Sequence, residues 1–255
     1  MDAQSLTTET ETQFDPLAVP LDRLFRVPPE VYRGMIEHAL FGPDEVALRD
    51  GLLVRPTDQG ASEPLDPLYR ITLDVYDRVG GLDLLGEDDR KVELLDGLLV
   101  RKMTKGDRHL IATHLIRDAL AALVPRGWYV FKEDPVALPD GPGGHASMPE
   151  PDAAVIRGGI RDYRALRVSP ADMALVVEVA ETSLRGDRLK LARYAWAGVP
   201  TAWLVNLIDS AVEVHSAPSA AGIYQEMTIH HGAGEVPVVI DGLEVGRLAV
   251  ADLLP

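Results

Sequence analysis

Residues 175–200 read LVVEVAETSLRGDRLKLARYAWAGVP. The stretch opens on a near-continuous apolar run broken by Glu178. Such a run suits a strand buried on both faces. Strand side chains alternate, so Glu178 shares a face with Val176 and Ala180. A carboxylate there is costly to bury unless something pairs with it. The helix that follows, SLRGDRLKLARYAWAG, carries Asp187, Lys190 and Tyr194 at spacings that put them on one face. Ser183 reads as its N-cap, and Gly198 and Pro200 stop it. A helix packed beside the strand would direct Lys190 at Glu178. A further strand, TAWLVNL (201–207), follows. Strands before and after one helix give an α/β class, a mixed sheet flanked by helices.

Working outward, DMALVVEVA (172–180), DAAVIR (152–157) and WYVFKED (128–134) read as strands. Residues 107–124 read as an amphipathic helix, and LPDGPGGHASMPEP (138–151) as a loop. AVEVHS (211–216) and IYQEMTIH (223–230) read as a hairpin, and a short apolar tail closes the chain. Further upstream a pattern occurs twice. A helix over 21–41, starting near Pro28-Pro29-Glu30, precedes the hairpin DEVALRDGLLVR (44–55). Val75-Tyr76 then opens a helical stretch as Val31-Tyr32 does, and Leu95-Asp96-Gly97-Leu98 echoes Arg49-Asp50-Gly51-Leu52. Asp-Gly suits type I′ hairpin turns, common enough that the echo can also arise by chance. Glu93 precedes the second Asp-Gly where the first copy has Ala47. Residues 1–20 are polar and without period, the composition of a disordered segment, and 56–66 read as a linker. The organisation is thus an N-terminal extension, 1–65, and a main domain, 66–255.

The chain has 255 residues, 46% of them hydrophobic, enough for a packed core. No cysteine is present, which excludes disulfides and thiolate metal sites. No apolar run is long enough for a membrane span, and the first residues lack the pattern of a signal peptide. A cytoplasmic protein is the simplest expectation. The formal net charge of −15 is a poor match to a protein that coats nucleic acid, though it leaves room for a local basic groove.

Three residues carry the chemistry, and each has a bland reading beside the functional one. Glu178 suits a metal ligand, or an ion pair with an arginine, or a strand end that reaches water. Asp152 follows Pro151 and starts a strand, a common structural role for aspartate. Lys190 suits the orientation of a water or the stabilisation of phosphate charge, or a solvated pair with Asp187. His109 and His114 are five apart, where helical metal pairs are four apart. They read as one exposed and one partly packed histidine. DGPGG (140–144) lacks the lysine and helix of a phosphate-binding loop. Trp128, Trp196 and Trp203 read as core.

Taken in order, Glu93-Leu94-Leu95-Asp96-Gly97, Pro151-Asp152, Val177-Glu178-Val179 with Thr182-Ser183, Asp187 with Lys190 and Tyr194, Ala197-Gly198-Val199-Pro200 and Trp203-Leu204-Val205 resemble the Uma-two family. That family belongs to the restriction-endonuclease-like PD-(D/E)xK nuclease superfamily. The resemblance covers about residues 66–220. It implies a restriction-endonuclease-like core and a divalent metal, Mg²⁺ with Mn²⁺ as the alternative, held by Asp152 and Glu178. It implies Glu93 as a further acid near the metal and Lys190 as the catalytic lysine. The superfamily's usual lysine position, two after the second acid, is Ala180 here. The resemblance is therefore to the variant whose lysine lies on the following helix. The implied activity is metal-dependent phosphodiester hydrolysis by a DNA endonuclease. A homodimer would supply the two sites that cutting both strands needs. Arginines such as Arg101, Arg108, Arg185 or Arg188 ringing a site where Asp152, Glu178 and Lys190 converge would favour the enzyme. The competing reading is a non-catalytic scaffold or binding module that keeps the nuclease fold, favoured by the acidic charge.

Overall fold

Two short helix–hairpin units come first in the chain, and their agreement is detailed. The first consists of α1 (Pro29–Glu37), β1 (Ala47–Arg49) and β2 (Leu52–Val54). The second consists of α2 (Leu73–Gly81), β3 (Val92–Leu95) and β4 (Leu98–Arg101). Both hairpins turn on Asp-Gly with positive φ at both residues, +48° and +78° at Asp50-Gly51, +49° and +73° at Asp96-Gly97. This is the type I′ geometry, which matches the twist of the flanking strands. Arg26 donates to the Asp50 carbonyl and Arg70 to the Asp96 carbonyl. The segments leading into the helices are exchanged between the units. Phe25 N–H donates to Leu99 O at 2.9 Å, and Tyr69 N–H to Leu53 O at 2.8 Å. Phe25, Val27, Met35, Leu53, Ile71, Val79, Val92, Leu94 and Leu99 share one apolar cluster. The computed structural model describes residues 19–56, 68–131, 134–141, 143–163, 167–182 and 184–255. The polar start, most of the expected linker, the expected boundary at 65 and the Ser183 cap lie outside the described residues.

The main sheet follows α3 (Asp107–Leu123). It contains β5 (Trp128–Phe131), β6 (Ala153–Arg157), β7 (Met173–Ala180), β8 (Thr201–Asn206), β9 (Ala211–Pro218) and β10 (Tyr224–His231). Their spatial order is β10-β9-β8-β7-β6-β5. β7 and β8 are parallel, with Glu178 opposite Leu204, and the other neighbours are antiparallel. Parallel neighbours need a crossover, and α4 (Leu184–Trp196) provides it. All eight residues of β7 are buried, because both faces are covered. Val177 and Val179 face α3, packing with Ala112, Ile116 and Leu120. Val176 and Ala180 face α4, packing with Leu191 and Tyr194. Alternation therefore puts Glu178 on the α4 side.

The C-terminal residues depart from the expected apolar tail. They form the hairpin β11 (Glu235–Ile240) and β12 (Leu243–Ala249), then the short helix α5 (Val250–Leu253). Asp241-Gly242, at φ +51° and +77°, makes a third turn of the same kind. Val236, Val238 and Ile240 alternate inward and, with Val250 and Leu253, complete the core on the α3 face. Trp196 also departs from expectation. It is only part-buried, and its Nε1 donates to Asp140 O at 3.0 Å, whereas Trp203 is fully buried in the sheet.

Gly97 combines two constraints. Its φ is +73°, and a Cβ there would stand 2.8 Å from Arg70 Cβ and 3.0 Å from Ile71 O. Gly97→Ala is expected to lower stability by roughly 2 kcal/mol, from left-handed backbone strain plus the clash. Urea unfolding of the two proteins measures it.

Candidate active site

Glu178 reaches the α4 side of β7 with 1% of its surface exposed. Its Oε1 accepts from the Tyr194 hydroxyl at 2.7 Å, and its Oε2 accepts from Lys190 Nζ at 3.0 Å. The spacing of Asp187, Lys190 and Tyr194 on α4 produces this: Lys190 and Tyr194 point down onto the strand. Lys190 Nζ also donates to Glu150 O at 2.8 Å and lies 3.6 Å from Glu93 Oε2. Lys190 is thus not a solvated lysine on an outer face. Its side chain is 12% exposed and sits among carboxylates.

Asp152 approaches from the start of β6 and is also buried. Its Oδ1 accepts from Lys105 Nζ at 2.8 Å, and its Oδ2 from Val179 N–H at 2.8 Å. His109 Nε2 lies 3.2 Å from the same Oδ2. Glu93 stands on β3, 2% exposed. Asp152, Glu178, Lys190 and Glu93 therefore line one concave pocket, together with His109 and Asp187.

The hairpin that carries Glu93 is held to α4 by a second ion pair. Arg193, one turn beyond Lys190, pairs with both carboxylate oxygens of Asp96. Arg193 is 3% exposed and Asp96 7%. Ser147 holds Asp96 as well, donating to its Oδ1 and accepting from its N–H. Asp50, the counterpart in the first unit, is exposed. The two copies therefore differ at two acids: Glu93 against Ala47, and a buried Asp96 against a solvated Asp50.

The cluster shifts its own titrations. Burial pushes the Glu178 carboxyl well above its ordinary value, and the nearby Lys190 only partly opposes this. For Asp152 burial also opposes charge, but the His109 hydrogen bond and the charges of His109, Lys105 and Lys190 outweigh it. They hold the Asp152 carboxyl well below the usual range. Burial opposes the Lys190 charge too, yet Glu178, Glu93, Asp152 and Asp187 together raise its pKa. Lys190 is a fixed cation. Asp187 is pushed up to about 6, first by burial and then by Asp152, with Lys190 opposing.

A family model described as "Putative restriction endonuclease", Uma2, matches residues 81–251. The chain belongs to this family. A solved structure from Anabaena variabilis ATCC 29413, titled a "putative nuclease belonging to DUF820", shares the fold. It is 18% identical, with a TM-score of 0.50, over 64% of this chain and 88% of that chain. No curated protein matches the chain. Within the Uma2 family, the mixed sheet with its flanking helices is thus a nuclease fold.

His109 is buried beside Asp152, while His114 is exposed, in keeping with one packed and one exposed histidine. His109 begins the buried stripe of α3 that continues through Ala112, Thr113, Ile116 and Leu120, and a polar residue on such a stripe must face a polar partner. Arg101, Arg108, Arg185 and Arg188, whose presence would favour an enzyme, do not line the pocket. Arg108 donates to Leu207 O, Arg188 pairs with Glu213, and Arg101 lies over the Phe25 ring. The pocket's other cations are Lys102, Lys105 and Arg23.

Arg193→Met would leave Asp96 charged and buried without its partner. The expected loss is about 3–5 kcal/mol in urea unfolding. Asp187 predicts a pH dependence. Its folded pKa of about 6 exceeds the ordinary 3.8, so the folded state binds this proton more tightly than the unfolded chain. Stability from this group is greatest below the lower value and falls as pH rises through the window between them. Asp187→Asn removes the penalty. At pH 8 the variant is expected to be more stable by about 3 kcal/mol, the difference vanishing near pH 4. Unfolding curves of both proteins across that range measure it.

Proposed function

We propose that the pocket hydrolyses phosphodiester bonds of DNA with the help of a divalent metal ion. One observation carries the reading. Two buried carboxylates and a part-buried lysine arrive from β6, β7 and α4 at a single concave site. Two acids on adjacent strands with a lysine between them serve little purpose in a core, where apolar residues of similar volume would do as well or better.

The donor set suits a hard cation. Asp152 and Glu178 offer only oxygens, and Glu178 resists carrying charge without a further cation nearby. Mg²⁺ and Mn²⁺ keep several waters and take one or two carboxylates plus substrate phosphate, so the pair Asp152 and Glu178 is a sufficient protein donor set. A bound divalent ion would supply charge neutralisation at the scissile phosphate and acidify a nearby water.

The chain's own residues do the rest. Tyr194 fixes Glu178 from one side and Lys190 from the other. His109 and the Val179 N–H fix Asp152. Lys190 holds its proton, so it acts as a donor and not as a general base. It can orient the attacking water or stabilise charge on the phosphate as water adds to phosphorus and one ester P–O bond breaks. Glu93 holds Lys190 from the hairpin side. Cutting both strands of a duplex calls for two such sites, which a homodimer would provide.

One observation favours a second reading, a binding module that keeps the fold. Both oxygens of Asp152 and both of Glu178 already have partners within the chain. The cluster is then a self-contained ion-pair network.

Cleavage of supercoiled plasmid and of single-stranded DNA, with Mg²⁺ or Mn²⁺ and with chelator, separates the two. Wild type is expected to cut only with metal. Glu178→Ala and Lys190→Ala, shown folded by thermal melting, are expected to lose at least about 100-fold in rate. Cutting that survives in both variants would remove these residues from the mechanism. A folded wild type that neither cuts nor binds metal by calorimetry would establish the binding module.

A further inference from the structure

The cations of the pocket differ in what they touch. Lys190 lies against Glu178 and Glu93, Lys105 against Asp152, and Lys102 against Glu150 at 2.5 Å. Each is matched to a carboxylate. Arg23 is not. Its Nε and Nη2 both donate to the main-chain oxygen of Arg101, at 3.2 and 2.9 Å. Among the described residues no carboxylate lies within ion-pair reach of its guanidinium. A pocket lined with acids repels a phosphodiester, and three of its four cations are engaged with those acids. Of the four, Arg23 alone has no carboxylate at ion-pair distance among the described residues, although its charge is felt by Asp187.

Its placement is built. Leu24 and Phe25, 4% and 2% exposed, anchor the segment. Leu24 bridges to Val100 and Phe25 N–H donates to Leu99 O, which sets the chain along β4. The bonds to Arg101 O then fix the guanidinium plane. Nη1 projects over α4 at Gly186, 2.3 Å from where a Cβ would stand. Any side chain at 186 would push the guanidinium aside. Gly186 lines the pocket as well, and its helix would be better served by alanine unless the space is needed.

We propose that Arg23 binds a phosphate of the nucleic-acid substrate, supplied to the site from outside the matched family region, and that Gly186 keeps open the space its guanidinium occupies. The assignment rests on the nuclease reading. The planar fork of arginine suits two oxygens of one phosphate, and its charge is permanent.

The test uses a fluorescein-labelled DNA duplex. Binding is followed by anisotropy over a series of NaCl concentrations without divalent ions, and cleavage of the same duplex is followed with Mg²⁺. Arg23→Gln is expected to raise KM about tenfold with little change in kcat, the loss of one charged hydrogen-bonded contact. The slope of log affinity against log salt should fall by about one, because one phosphate contact is lost. Arg23→Lys should restore the slope, which a purely structural arginine would not do. Gly186→Ala should raise KM likewise while its melting temperature holds, which guards against misfolding of the Arg23 variants. Wild type that cuts, with KM and slope unchanged in Arg23→Gln, overturns the Arg23 assignment and leaves the nuclease reading intact. Wild type that neither binds nor cuts the duplex overturns the nuclease reading, and the Arg23 assignment with it.

Discussion

The buried pair between Arg193 and Asp96 is the contact on which the site's geometry depends. It joins a helix of the main sheet to a hairpin that belongs to another sheet. Lys190 is one turn from Arg193 along α4, and Glu93 lies on β3 three residues before Asp96 of the turn. Fixing Arg193 on Asp96 therefore fixes the lysine against the third acid. Such pairs seldom add net stability over apolar residues of the same size. What this one contributes is register between the two units, alongside main-chain bonds such as Met148 N–H to Leu94 O and Gly97 N–H to Ala146 O. The Arg193 Nη1 bond to Leu189 O holds the guanidinium to its own helix, so the side chain has little freedom to choose another partner.

Around that contact the pocket gathers more acid than base. Glu93, Asp152, Glu178 and Asp187 face Lys190, with Lys105 on one side. The opposite directions of the Asp152 and Glu178 titrations follow from what each can reach. Asp152 is served by a backbone N–H, an imidazole and an ammonium. Glu178 shares one lysine and has a phenol. Two carboxylates of the same pocket are thereby pushed apart, an arrangement that recurs where acids have separate tasks.

Much of this was written locally in the chain. The unbroken apolar run of β7, the helical spacing of Lys190 and Tyr194, and the Asp-Gly turns each rest on a few neighbouring residues. The sheet class and the convergence of Lys190 on Glu178 follow from them. The rest required knowledge of distant pairing. Arg193 and Asp96 are separated by 97 positions, and nothing near either residue names the other. Arg23 is delivered by a strand exchange that no local pattern encodes. His109 was legible as a packed histidine, but its partner Asp152 lies on another element and was not. The C-terminal hairpin carried the same Asp-Gly signal as the other two. Its alternation was taken for mere apolarity because β12 is exposed on much of its outer face.

The exchange between the two helix–hairpin units also sets an order of events during synthesis. Arg23 and Arg101 are 78 residues apart. At about 5–20 residues per second, the segment before α1 leaves the ribosome several seconds ahead of the strand it must join. The first unit cannot complete its packing alone, since the edge that receives Phe25 lies in the second. Nascent chains of this protein therefore hold an unpaired, apolar stretch near their start until β4 has emerged. That interval is when a chaperone, or a neighbouring chain on the same message, would meet it.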